Sequence, residues 1–171
     1  MKQIYDMFAG YNQWANRRLY AAARALPEAD YRSPRGAFFG SLHGTLNHVL
    51  VADRIWMRRF TGEGPVQKKL DEILFEDRAA LEAARVAEDE RIVRYVGGLA
   101  EPDLAGVFSY RTITSPQDVT QPLAPALSHF FNHQTHHRGQ AHAILTAIGG
   151  NAAAPSLDLI LYQRETGIGL S

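Results

Sequence analysis

The sequence contains no cysteine among its 171 residues. Disulfide bonds, thiolate nucleophiles, iron–sulfur clusters and cysteine zinc sites are therefore excluded, and no oxidising compartment is implied. Net charge is absent too, because 18 Lys and Arg balance 18 Asp and Glu. A nucleic-acid binder draws affinity from a basic surface that neutralises phosphates, so this balance argues against one. No apolar run reaches the roughly 18 residues that a membrane helix needs. The N-terminal stretch from Met1 to Trp14 mixes charge and polarity too evenly for a signal peptide. Internal repeats, low-complexity tracts and long linkers are missing as well. Together these absences predict one cytoplasmic domain over residues 1–171, attached neither to membrane nor to nucleic acid.

What is present is helical periodicity. Ile4, Phe8, Tyr11, Ala15, Leu19, Ala22 and Leu26 recur at three- and four-residue steps, forming one stripe that ends at Pro27. A second stretch starts at Ser41, a residue type suited to N-capping. It runs through Leu46, Leu50, Trp56 and Phe60 to the breaker Gly62-Glu63-Gly64-Pro65. The third is read from Lys69 to Tyr95, the most charged of the four, with Gly97-Gly98 as its terminator. The fourth begins near Pro122 and carries Leu127, Phe130, Ala141, Ile144 and Ile148 before Gly149-Gly150. Between the third and fourth, Val107–Thr114 is rich in β-branched and aromatic residues, and Ser115–Asp118 supplies a turn. Leu157–Gln163 predicts a short last helix. The fold class is therefore all-α: a four-helix bundle with a small β-hairpin between the third and fourth helices and a short C-terminal helix.

Five of the seven histidines fall between His129 and His142. At about 100° per residue, His133 and His137 lie on one side of the fourth helix beside Phe130 and Ile144, facing inward. His129 and His136 occupy the flank of that face, and His142 the opposite flank. Two imidazoles four residues apart in an apolar core gain little except a shared partner, and the spacing brings both within reach of one cation. A third ligand must come from a facing helix. His48, on the flank of the second stripe, is the better choice, since three neutral imidazoles suit a borderline cation such as Zn²⁺. Asp53 lies inside the stripe and either bonds a buried Arg or Trp or orients a metal ligand. His43 reads as a surface residue, Arg58-Arg59 and Lys68-Lys69 as solvated helix ends, and Gly139 as the point where another helix comes close. Three protein ligands leave one position for water or substrate, as catalytic zinc sites do.

Leu46–Asp53, containing His48, together with His133-Gln134-Thr135-His136-His137-Arg138-Gly139-Gln140, resembles the DinB family of four-helix-bundle metalloproteins. Tyr11–Asn16 and Tyr162–Glu165 are similar to members of it too, so the likeness spans nearly the whole chain. The resemblance implies a divalent metal held by His48, His133 and His137, and a homodimer; three-histidine donor sets accept Zn or Ni first among several ions. Relatives in the wider superfamily include isomerases and S-transferases in which a metal activates a low-molecular-weight thiol. The expectation is thus a metalloenzyme that activates a small thiol or water for a small-molecule substrate, as transferase or hydrolase. His136, Asp53, Tyr11 and Tyr110 are its candidate proton-transfer groups. The alternative is a non-catalytic, stress-related module that binds a metal or ligand.

Overall fold

The computed structural model describes residues 1–169. Four long helices dominate it: α1 (Lys2–Arg24), α3 (Leu42–Thr61), α4 (Arg78–Gly98) and α5 (Leu123–Gly149). A short α2 (Glu28–Arg32), which the periodicity does not reveal, sits between α1 and α3. Strands β1 (Val107–Arg111) and β2 (Asp118–Pro122) precede α5, and α6 (Leu159–Thr166) follows it. The long helices form a ring in which α1 packs on α4 and α5, and α3 packs on the same two. No helix among the described residues is long and apolar enough to cross a membrane.

The predicted caps act as the sequence suggests. Ser41 Oγ accepts the Gly44 amide at 3.1 Å, and Gly62 ends α3 at φ +76°, a conformation open to glycine without a side-chain penalty. The hairpin forms as expected, with Ser109 opposite Thr120, although Thr112–Thr114 belong to its turn rather than to a strand. The last helix begins two residues later than the pattern indicated, at Leu159.

The third helix requires a larger correction. It starts at Arg78 rather than Lys69, with Asp77 accepting the Ala80 amide at 2.7 Å. The reason is chain direction. His48 faces His137, and Trp56 faces His129, so α3 and α5 are antiparallel. Asp53 meets Arg85, and Thr61 meets Arg91, so α3 and α4 run parallel. Two consecutive parallel helices need a return path along the bundle, and residues 62–77 supply it as an extended strap. Sixteen extended residues span up to about 50 Å, ample for the length of α3. Asn47 pins the strap: its Oδ1 accepts the Leu74 and Phe75 amides at 2.9 and 3.1 Å.

The core has two large apolar clusters, one around Phe130, Ile92 and Met57 and one around Leu46, Leu81 and Leu145. Between them lies a buried polar layer to which all four long helices contribute. Asp53 accepts from Arg85 at 2.6 Å and from Gln134 at 2.9 Å, while Asp89 accepts from Asn12 and Asn16. Arg85 Nη2 stands 3.0 Å from Asp89, off the hydrogen-bonding line, and Arg138 donates to Asn12. Arg85 thus stands between two carboxylates, the pairing that buried charges need, while the Arg138 guanidinium is held by the neutral oxygens of Asn12 and Thr135. His43 belongs to the interior rather than the surface. It is buried, with Nδ1 3.2 Å from the Tyr31 hydroxyl.

Candidate metal centre

α3 and α5 bring three imidazoles to one point. His137 Nε2 lies 3.2 Å from His48 Nε2 and 3.1 Å from His133 Nε2. All three donor atoms fall within 4.8 Å of one another. His133 and His137 meet because side chains four residues apart stack on one helix face, and His48 faces them because α3 packs against α5.

The other ring nitrogens decide what these contacts are. His48 Nδ1 is 2.7 Å from the Leu70 carbonyl on the strap, and His137 Nδ1 is 2.8 Å from Gln140 Oε1. Both partners only accept, so in each neutral ring the proton sits on Nδ1 and Nε2 presents a bare lone pair. The His48–His137 contact is then acceptor against acceptor, and no proton from His133 can satisfy both of its neighbours. A cation satisfies all three. Imidazoles bound tetrahedrally at 2.0–2.1 Å place their nitrogens about 3.3 Å apart, close to the spacing found here. The residues present therefore fit a metal ion.

Burial keeps these rings in the neutral form that metal binding requires. It pulls His48 down to about 4, outweighing the hydrogen bond to Leu70. It pulls His133 down to about 3, with the neighbouring imidazoles adding to the shift. His137 is lowered as well, mainly by burial and against its bond to Gln140.

Phe39 closes one side of the triad. Its ring stacks on His48 at 3.6 Å between centroids and meets His137 edge-on at 5.5 Å. On the other side, His48 and His133 reach a cleft of about 270 Å³ walled by Trp56, Tyr110 and His129. The His129 ring lies 5.8 Å from that of His133 and 5.0 Å from Trp56.

The candidate proton-transfer residues are placed differently from one another. Tyr110 lines the cleft. His136 is exposed, does not line the cleft, and connects to His137 through Gln140, whose Nε2 lies 3.3 Å from His136 Nε2. Asp53 is occupied by Arg85 and Gln134 in the polar layer, so its structural reading describes its contacts. Tyr11 donates to the Leu157 carbonyl at 2.6 Å and lines another cavity, beside Gly139. Gly139 opens onto that cavity, with nothing within 4 Å of where a Cβ would stand, so no helix crosses there. Gly10 makes the close approach instead, against the Tyr162 hydroxyl of α6. Gln140 and His129 could have been found by three- and four-residue spacing from the histidine pair. Phe39 and Leu70 could not, because they lie in segments without a period.

Fold and site together define a four-helix-bundle protein with a three-histidine cluster at the wall of a cleft. The sequence model of the DinB family matches residues 1–168, and the chain belongs to that family. Protein DinB of Bacillus subtilis (strain 168) is 26% identical over 164 residues, spanning 91% of this chain and 92% of that protein.

Proposed function

We propose that the chain is a metal-dependent enzyme that activates a small thiol or water at an open three-histidine centre and acts on a small molecule as a transferase or hydrolase. The observation that carries this reading is the convergence of three Nε2 lone pairs, two of them locked by Nδ1 hydrogen bonds, at the wall of a cleft. His48, His133 and His137 would hold a divalent ion, Zn or Ni by donor chemistry. Bound there, the ion would lower the pKa of a coordinated thiol or water and so supply a nucleophile near neutral pH.

The protein's own groups do the rest. Leu70 and Gln140 hold two rings in the donating orientation, as hydrogen-bonded partners of metal ligands generally do. Phe39 shields the triad on one side, which directs an incoming ligand to the cleft. His129, on the cleft wall, is the group best placed to take a proton from the nucleophile. Burial and the nearby Arg59 charge lower its pKa, which keeps it neutral and able to accept. Tyr110 lines the same cleft, and both rings pack on Trp56. His136 accepts from the Gln140 amide and so helps fix the orientation of the group that holds His137.

An open centre distinguishes this reading from a closed, non-catalytic one. Among the described residues the cluster comprises three donors and no fourth His, Asp or Glu. The test is cobalt-loaded protein titrated with a simple thiol. An intense sulfur-to-cobalt absorption, absent in His133→Ala, is the expected result. An unchanged spectrum in the loaded wild type would mean a saturated centre and would remove the enzyme reading.

A further inference from the structure

Beside the triad cleft lies a second cavity of about 350 Å³, and the two share Ile55, Arg59, Tyr110 and Ile113. Among the described residues no Asp or Glu lines either one. Three arginines reach the second cavity, and they are not equivalent. Arg58 donates to the Gly64 carbonyl at 2.6 Å, and Arg111 pairs with Asp118. Arg59 is held only by aromatic faces, with its guanidinium carbon 4.5 Å from the Trp56 ring centre and 4.2 Å from that of Tyr110. Among the described residues it has neither an ion pair nor a hydrogen bond. It is thus no solvated helix end, the reading its sequence position invites, but a half-buried cation whose planar fork of N–H donors lacks an acceptor. Gln67, buried on the same wall, likewise has a side-chain amide bonded to nothing among the described residues.

A guanidinium packed against two rings that themselves meet edge-on, 5.4 Å apart, has lost part of its freedom already, and bidentate contact with an oxyanion is the strongest use of its geometry. We infer that the ligand of this cleft is a small molecule with a carboxylate, which docks on Arg59 and Gln67 while its reactive end reaches the histidine triad. The inference builds on the thiol reading above and adds the ligand's charge and length. Arg59 stands eleven residues beyond His48 on α3, about 16 Å of helical rise, but its long side chain carries the guanidinium back to within 4.5 Å of the Trp56 ring, which is only eight residues, about 12 Å, from His48. The two ends of the ligand are therefore on the order of 10 Å apart.

Calorimetric titration of zinc-loaded protein with mercaptohexanoate, its neutral amide and hexanoate tests this. Wild type binds the mercapto acid about tenfold or more tightly than the amide, the preference that a charge-assisted bidentate contact confers. Arg59→Gln abolishes the preference, and Arg111→Gln, which removes a guanidinium already paired, retains it. Equal binding of acid and amide by wild type, a preference that survives Arg59→Gln, or no binding of either acid overturns the inference. Hexanoate separates the two readings. If it binds with the same dependence on Arg59 and the thiol adds nothing, the anion site stands and the thiol reading falls.

Discussion

At the scale of residues, a histidine binds a cation only through a nitrogen that carries no proton. Here the Leu70 carbonyl and Gln140 Oε1 take the Nδ1 protons of His48 and His137, which leaves Nε2 free in both. Losing such a partner typically weakens metal binding about 10–100-fold. Gln140→Leu is therefore expected to raise the zinc dissociation constant by about that factor while leaving the unfolding midpoint of the metal-free protein nearly unchanged. An affinity equal to wild type would show that Gln140 does not orient His137. The triad was legible in the sequence, because His133 and His137 share a helix face and His48 lies on the face of a neighbour. Its surroundings were only partly so. A helical wheel gives an angle but not what covers it, so Phe39 and the Leu70 carbonyl are invisible to it, and the sequence alone places Arg59 and His43 in solvent.

At the scale of elements, the apolar stripes of α1, α3 and α5 announced themselves, because each buries one continuous face. The strap over 62–77 did not. Leu70 and Leu74 among the charges of that stretch imitate an amphipathic helix, and only the parallel course of α3 and α4 demands an extended return. The same limit applies to Asp53, which sits in the α3 stripe like an apolar residue but meets Arg85 in the layer between the two apolar clusters. Removing one partner of a buried ion pair leaves an uncompensated charge and costs about 3–5 kcal/mol. Asp53→Ala is expected to destabilise the metal-free protein by about that amount in urea unfolding. A loss under about 1 kcal/mol, within the range of an exposed pair, would contradict a structural role.

At the scale of the whole molecule, His43, His48, His129, His133 and His137 all have pKa values lowered chiefly by burial. Below their ordinary value of about 6.5, the unfolded chain takes up protons that the folded chain refuses. Stability therefore rises with pH in that range and is lost as pH falls from about 6.5 toward 4, at about 1.4 kcal/mol per pH unit for each such proton. Burial raises Asp53 and Asp89, which works in the opposite sense, but two carboxylates stand against five imidazoles. The urea midpoint of the metal-free protein is expected to fall as the pH drops from about 7 to about 5. A flat or rising midpoint would contradict the histidine burial.

The central claim is that His48, His133 and His137 together hold one divalent ion. Metal analysis of the protein purified without chelators, beside His48→Ala and His137→Ala, tests it most directly. The account predicts about one metal ion per chain in wild type and almost none in either variant, since two remaining imidazoles cannot complete the centre. A metal-free wild type that takes up no zinc on titration, or variants that keep full occupancy, would contradict it.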